Sequence, residues 1–237
     1  MSVHTIILAA GQGSRMKSNK AKVLQRIGGA SMLEKICYTA GAVSSDITLV
    51  VGFDKESVLD EATKFNLNIT SSLQPKPIGT GDAVRCGLDK VQNDSKVLVL
   101  YGDVPLIKKE TLQNLIDSSN SGLSILTTVL DKPFGYGRVK TNDNNEALEI
   151  VEEKDATDKE RQIQEIFTGV LCGSKALIEE GLSKITNNNA AGEFYLTDLV
   201  SVINEKGIRI NTYKASNEEV KGANSKQELE QLEATYR

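Results

Sequence analysis

Residues 8–16 read LAAGQGSRM and follow the apolar run VHTII at 3–7. An apolar run that ends in small residues and two glycines predicts a buried strand turning sharply into a loop. Gly11 and Gly13 lack β-carbons, so the backbone there can turn tightly and aim N–H groups at an anion. Behind them stand Arg15, Lys17, Lys20, Lys22 and Arg26, and no acidic residue occurs between Met1 and Leu33. In a chain of net charge −4, a local basic patch beside an N–H-lined loop suits a polyphosphate. Gly13-Ser14-Arg15 is not the Gly-Lys-Ser/Thr ending of a Walker loop. The dinucleotide fingerprint wants a third glycine where Met16 stands and an acid near the end of the second strand, which reads VVGF. The loop therefore reads as phosphate-binding but of neither usual class.

From this elbow onward, strand-like and helix-like patterns alternate. The strand at 5–10 is followed by SMLEKICYTA, whose Ser31 and Glu34 predict a helix N-terminus. ITLVVG (47–52) predicts a strand, DKESVLDEATKF (54–65) a helix, and Ile69 a short strand. TGDAVRCGLDKV (80–91) reads as a helix and KVLVLY (96–101) as a strand buried on both faces. This order implies parallel strands with helices packed on them. In the second half, SILTTVL (124–130), ALEIVEE (147–153), IFTGVLCG (166–173) and IRINTYKA (208–215) read as strands, and FGYGRVKTNDNNE (134–146) as a turn region. Helices are expected before IRINTYKA and at the polar end of the chain. No repeat or Pro/Gly/Ser linker divides the 237 residues, so one α/β domain is expected, with a phosphate-binding half over about 1–120 and a smaller substrate-facing lobe over about 121–225.

Composition narrows the possibilities. With 39% hydrophobic and 25% charged residues the chain reads as an ordinary globular protein. Its acidity argues against a nucleic-acid coat, and no apolar run reaches a membrane span. The start of the chain lacks the pattern of a secretory leader. Cys37, Cys86 and Cys172 are widely spaced, form no disulfide or zinc pattern, and are expected as small buried hydrophobes in a reducing, cytoplasmic protein. Asp103, directly after the strand KVLVLY, stands where ligands of open α/β sheets bind and is a natural magnesium ligand or, equally, a turn cap beside Pro105.

LAAGQGSRM, AKVL (21–24), LQPKPIGTGDA (73–83), LYGDVPLI (100–107), GYGRV (135–139), IVEEKDAT (150–157), RQIQEI (161–166), TNNNAAGEFYLTD (186–198) and EVKGANS (219–225) occur in that order. Together they resemble the N-terminal pyrophosphorylase domain of the bacterial bifunctional N-acetylglucosamine-1-phosphate uridyltransferase/glucosamine-1-phosphate acetyltransferases. The resemblance implies a Rossmann-like mixed sheet flanked by helices, the nucleotide-diphospho-sugar transferase fold. It also implies transfer of UMP from UTP to N-acetylglucosamine 1-phosphate, with Mg2+ as cofactor.

By position, Leu8, Ala10, Gly11 and Gly13 would hold the nucleotide, and Gln74 the uracil, with Gly79 and Thr80 beside it. Arg15 and Lys22 would grip the triphosphate and the departing pyrophosphate. Asp103 and Asn224 would hold the metal. Tyr101, Gly137, Glu152, Phe167, Tyr195 and Thr197 would line the sugar-phosphate site. His4, at the start of the first strand, is expected to be structural.

Two departures stand out. The family usually carries asparagine before the Thr-Gly of its NTG motif, where this chain has Phe167-Thr168-Gly169. A lost polar contact to the amino sugar costs ~1–3 kcal/mol, which keeps a different sugar 1-phosphate open as substrate. A catalytically silent nucleotide-sugar-binding module is the remaining alternative. Second, the hexapeptide repeats of the family's left-handed β-helix acetyltransferase domain do not occur in the sequence. A monomer or weak oligomer is the expectation.

Overall fold

A computed structural model describes residues 1–13, 18–223 and 225–235. Its centre is a nine-stranded mixed sheet. The strands β1 (Val3–Ala9), β4 (Asp46–Val51), β5 (Ile69–Leu73) and β6 (Lys96–Tyr101) run parallel, with β1 between β4 and β6. The strand β10 (Glu165–Ser174) then pairs antiparallel with both β6 and β7 (Leu123–Val129), and β11 (Ile210–Lys214) closes the far edge parallel to β7. The spatial order is β11-β7-β10-β6-β1-β4-β5. A small hairpin, β2 (Arg26–Ile27) with β3 (Ala30–Ser31), lies apart from the sheet.

Strict alternation builds a core on each face. From β1 and β6, Ile6, Leu8, Val97 and Val99 pack under α3 (Thr80–Leu88), α5 (Lys175–Leu182) and α6 (Asp198–Asn204). Ile7, Ala9, Leu98 and Leu100 pack on the opposite face under α1 (Met32–Gly41), α2 (Lys55–Ala62) and α4 (Lys109–Ser118). Both faces of these strands are thus covered by helices, which accounts for their continuous apolar runs. Ser31 begins α1 as expected, its hydroxyl accepting the Glu34 N–H at 3.1 Å. The last helix, α7 (Lys226–Thr235), packs Leu229 and Leu232 against Ile27 and Met32.

Several local readings are corrected. The turn region at 134–146 contains a strand, β8 (Arg138–Thr141), which forms a hairpin with β9 (Ala147–Val151). Its first residue, Arg138, is 2% exposed, so a cationic side chain occupies a buried position and masks the apolar alternation. Cys37 and Cys172 are buried, but Cys86 is only half-buried. His4 is structural: it is buried in β1, with Nε2 2.7 Å from the Thr48 hydroxyl. Burial lowers its pKa, and nearby Asp46 offsets part of that effect. Among the described residues no helix is long and apolar enough to cross a membrane.

Candidate active site

The carboxyl ends of β1, β5 and β6 open into a cavity of about 840 Å³ whose far wall is formed by the β8–β9 hairpin, the bend of β10 and the segment before α6. Clefts at strand ends are the usual ligand sites of such sheets. Among the described residues, every site candidate except Gly13 borders this cavity. Arg15 and Asn224 lie outside the described residues.

At the carboxyl end of β1, the strand delivers Leu8, Ala10 and Gly11 to the cavity wall. Gly13 takes φ +62°, and a β-carbon there would meet the Lys22 β-carbon at 2.8 Å. Only glycine lets the loop turn this closely past Lys22. Lys22 enters on a short 3-10 turn and its ammonium pairs with the Asp103 carboxylate, both side chains being 15% exposed. A fixed cation and a hard oxygen donor thus stand together at the strand ends.

Gln74 is 7% exposed, although its sequence context is a Pro- and Gly-rich loop. Its backbone N–H donates to the Val51 carbonyl at 2.8 Å, extending the β4 edge. Its side-chain Nε2 donates to the Gly79 carbonyl at 3.0 Å and to Asp82 Oδ2 at 2.9 Å. Both amide N–H groups are committed to protein partners, so what Gln74 can offer a base is its carbonyl oxygen, an acceptor. The segment 78–81 is tied in turn to 194–196. Phe194 N–H donates to Ile78 O at 2.9 Å, Gly81 N–H to Phe194 O at 2.8 Å, and Leu196 N–H to the Thr80 hydroxyl at 3.1 Å. The two walls are therefore one hydrogen-bonded unit.

On the opposite wall, Glu152 Oε1 accepts from the Thr197 hydroxyl at 3.0 Å. Burial raises the Glu152 pKa, the Thr197 bond opposes the rise, and Asp198, Asp155 and Glu193 add to it. The same crowding pushes the Tyr195 phenol up to about 12, burial first and then Asp155 and Glu152. Burial also raises the Tyr101 phenol, against a hydrogen bond from Thr80. Phe167 is 6% exposed and part of the core, yet the residue still borders the cavity. Its N–H donates to the Gly137 carbonyl at 3.0 Å, which fixes Gly137 at the wall.

Features that the sequence reading did not assign also shape this wall. Arg138 donates from Nη2 to Glu153 Oε2 at 2.6 Å and from Nη1 to the Tyr136 carbonyl, while the Gly135 N–H donates to Glu153 at 3.1 Å. The loop bearing Phe134, Tyr136 and Gly137 is thereby hung from the ion pair of buried Arg138 with half-buried Glu153. Asn189, inside the quoted TNNNAAGEFYLTD motif, organises its loop with Oδ1 accepting from the Ala191 and Glu193 N–H groups, each at 3.2 Å. The Arg138 role has no local sequence signal, because its partner lies across a hairpin, whereas that of Asn189 is a local turn in which the side chain caps backbone two and four residues on.

Among the described residues no group of three or more His, Cys, Asp or Glu side chains could cage a metal. Asp103 is a single carboxylate at the cavity wall, with Gly222 packed so closely that a β-carbon there would sit 3.0 Å from the Asp103 carbonyl oxygen. One hard oxygen donor beside a phosphate-sized space fits magnesium, which is usually held by one or two carboxylates together with substrate phosphates.

A family profile, that of the MobA-like NTP transferase domain, matches residues 5–177. The chain belongs to that family. It is 41% identical over 99% of its length to the bifunctional protein GlmU of Psychrobacter cryohalolentis, and 43% identical over 100% of its length to that of Methylococcus capsulatus. These alignments cover 52% and 51% of the two relatives, so the chain spans about half the length of the curated relatives it matches. A solved UDP-glucose pyrophosphorylase in complex with UDP-glucose superimposes with a TM-score of 0.81 at 16% identity, covering 100% of this chain and 98% of that one. The mixed sheet flanked by helices is thus the sheet of the sugar-nucleotide transferase fold.

Proposed function

We propose that the cleft transfers UMP from UTP to N-acetylglucosamine 1-phosphate, giving UDP-N-acetylglucosamine and pyrophosphate. The observation that carries this reading is the convergence on one cavity of the Lys22–Asp103 pair, the Gln74 carbonyl and the Glu152–Thr197 pair. It is supported by about 41% identity to the GlmU proteins.

An oxygen of the sugar's anomeric phosphate forms a bond to the α-phosphorus of UTP, and the bond from that phosphorus to the β-phosphate bridging oxygen breaks. The nucleophile is already ionised at neutral pH, so no side-chain base is required. Positioning and charge neutralisation carry the reaction. The Gln74 carbonyl accepts the uracil N3–H, and cytosine, which presents an acceptor at that position, is disfavoured. Leu8, Ala10, Gly11, Gly79 and Thr80 frame the nucleoside. Lys22 holds the negative charge of the triphosphate and of departing pyrophosphate, with Arg15 expected beside it. Asp103, with Asn224, would hold Mg2+, which supplies further charge neutralisation on the phosphates when bound. Glu152 and Thr197 receive sugar hydroxyls, and Tyr101, Gly137 and Tyr195 shape the space around them.

A second reading rests on Phe167, which borders the cavity and whose side chain offers no hydrogen bond: a sugar 1-phosphate other than the N-acetylated one. Pyrophosphate release with UTP and Mg2+ separates the two readings when N-acetylglucosamine 1-phosphate, glucosamine 1-phosphate and glucose 1-phosphate are compared. Highest kcat/KM with the acetylated sugar supports the first reading. Preference for another supports the second, and no release with any of them overturns both.

A further inference from the structure

Asp54 is one of two non-glycine residues with positive φ among the described residues. The other, Asn145, sits in the β8–β9 hairpin turn, where such a conformation is ordinary. Asp54 has φ 53° and ψ 35° and stands at the N-cap position of α2, yet its side chain makes no hydrogen bond to its own helix. Aspartate at an N-cap ordinarily accepts from the second or third helical N–H. Here the carboxylate instead reaches a different segment, where Oδ2 accepts the Ala21 N–H at 2.8 Å. A side chain that forgoes its cap, on a left-handed backbone that residues other than glycine adopt rarely, is held there by what it binds.

What it binds is the approach to Lys22. Ala21 is fully buried and immediately precedes the 3-10 turn Lys22–Leu24. The neighbouring residue of the same turn fastens the other end of the glycine loop, Phe53 N–H donating to the Ala10 carbonyl at 3.1 Å. The segment that leaves β1 at Ala10 and re-enters the fold at Ala21 therefore has both feet pinned to one turn between β4 and α2. Gly11 and Gly13 follow the first foot, and Lys22 follows the second and borders the cleft.

We infer that Asp54 is a positioning residue for the phosphate-gripping segment: its bond to Ala21 sets where Lys22 stands, and through Lys22 the affinity for the nucleotide's phosphates. The inference rests on the nucleotide reading of the cleft proposed above. Asp54 touches neither substrate, and its effect reaches the reaction only through the backbone of Ala21 and Lys22.

Two variants separate the carboxylate from the backbone conformation. Asp54→Gly accepts positive φ readily but has no acceptor, whereas Asp54→Asn tolerates the conformation and keeps a side-chain carbonyl. Asp54→Gly should raise KM for UTP about fivefold or more while KM for the sugar phosphate stays within about twofold, and Asp54→Asn should restore most of the loss. Amide hydrogen exchange at Ala21 should quicken about tenfold or more in Asp54→Gly and much less in Asp54→Asn. Unchanged Ala21 exchange, or equal rises in both KM values, would overturn the inference. If the unaltered protein failed to turn over UTP, the proposed reaction would fall, and the Ala21 exchange difference would still decide the tether.

Discussion

The loop at the 134–137 wall depends on the ion pair of buried Arg138 with half-buried Glu153, and breaking that pair should cost a definable amount. Arg138 is 2% exposed and Glu153 18% exposed, and Arg138 Nε is already without a hydrogen-bond partner. Burial disfavours the Glu153 charge, but the Arg138 guanidinium, the Gly135 N–H and Arg161 together hold its carboxyl below the usual range. Glu153→Gln keeps the shape and removes the charge, leaving the guanidinium buried with its carboxylate gone. Breaking a buried pair from one side costs about 3–5 kcal/mol. Partial exposure of Glu153 lowers this toward about 2–4 kcal/mol. For a chain of this size that corresponds to a fall in Tm of roughly 5–15 °C.

Arg138→Met removes the buried charge itself and leaves Glu153 with Arg161 at 3.5 Å. The double variant Arg138→Met/Glu153→Gln should therefore be more stable than the sum of the single losses, with a coupling of about 1–3 kcal/mol. Thermal and urea denaturation of the four proteins measure the cycle. Additive losses, or a fall of less than about 2 °C in Glu153→Gln, would refute the reasoning. Because the pair carries the loop of Tyr136 and Gly137, Glu153→Gln should also raise KM for the sugar phosphate more than KM for UTP.

Further outcomes follow from the same cleft. Asp103→Asn should lower kcat by about two orders of magnitude or more without lowering Tm much; near-normal Mg2+-dependent turnover would remove Asp103 from the metal. Glu152→Gln preserves an acceptor for Thr197 but removes a charge whose pKa burial raises. A raised folded pKa means the folded state binds the proton more tightly than the unfolded chain, so the ionised carboxylate weakens stability as pH rises through that value. Glu152→Gln should accordingly be more stable than the unaltered protein at about pH 8, the gain shrinking as pH falls toward the ordinary carboxylate value of about 4.3, and a gain independent of pH would contradict this. Phe167→Asn should raise the preference for N-acetylglucosamine 1-phosphate over glucose 1-phosphate by about tenfold; an unchanged ranking would take residue 167 out of sugar selection.

The legible parts of the fold and of the site share one property, that their signal is local. β1, β4 and β6 declare themselves by apolar runs buried on both faces, and Asp103 by its place after such a run. The glycine loop and its cations are contiguous. Gln74 and Glu152 are different. Taken alone, one reads as an exposed loop residue and the other as a solvated strand end, and only the ordered motifs single them out. What holds them at the cavity wall is contact with Asp82 and Gly79, or with Thr197, which the chain brings together only on folding. Arg138 misleads for the same reason, since its compensating carboxylate lies across a hairpin. Asp54 carries a local N-cap signal whose side chain serves another segment.

The central claim is that one cleft joins a uridylyl group to a sugar phosphate. Phosphorus NMR of the protein with UTP, N-acetylglucosamine 1-phosphate and Mg2+ follows every phosphorus atom at once. The account predicts that resonances of UDP-N-acetylglucosamine and pyrophosphate grow together, one for one, as both substrates disappear. UTP consumed to UMP and pyrophosphate with the sugar phosphate untouched, or no change in any resonance, would contradict it.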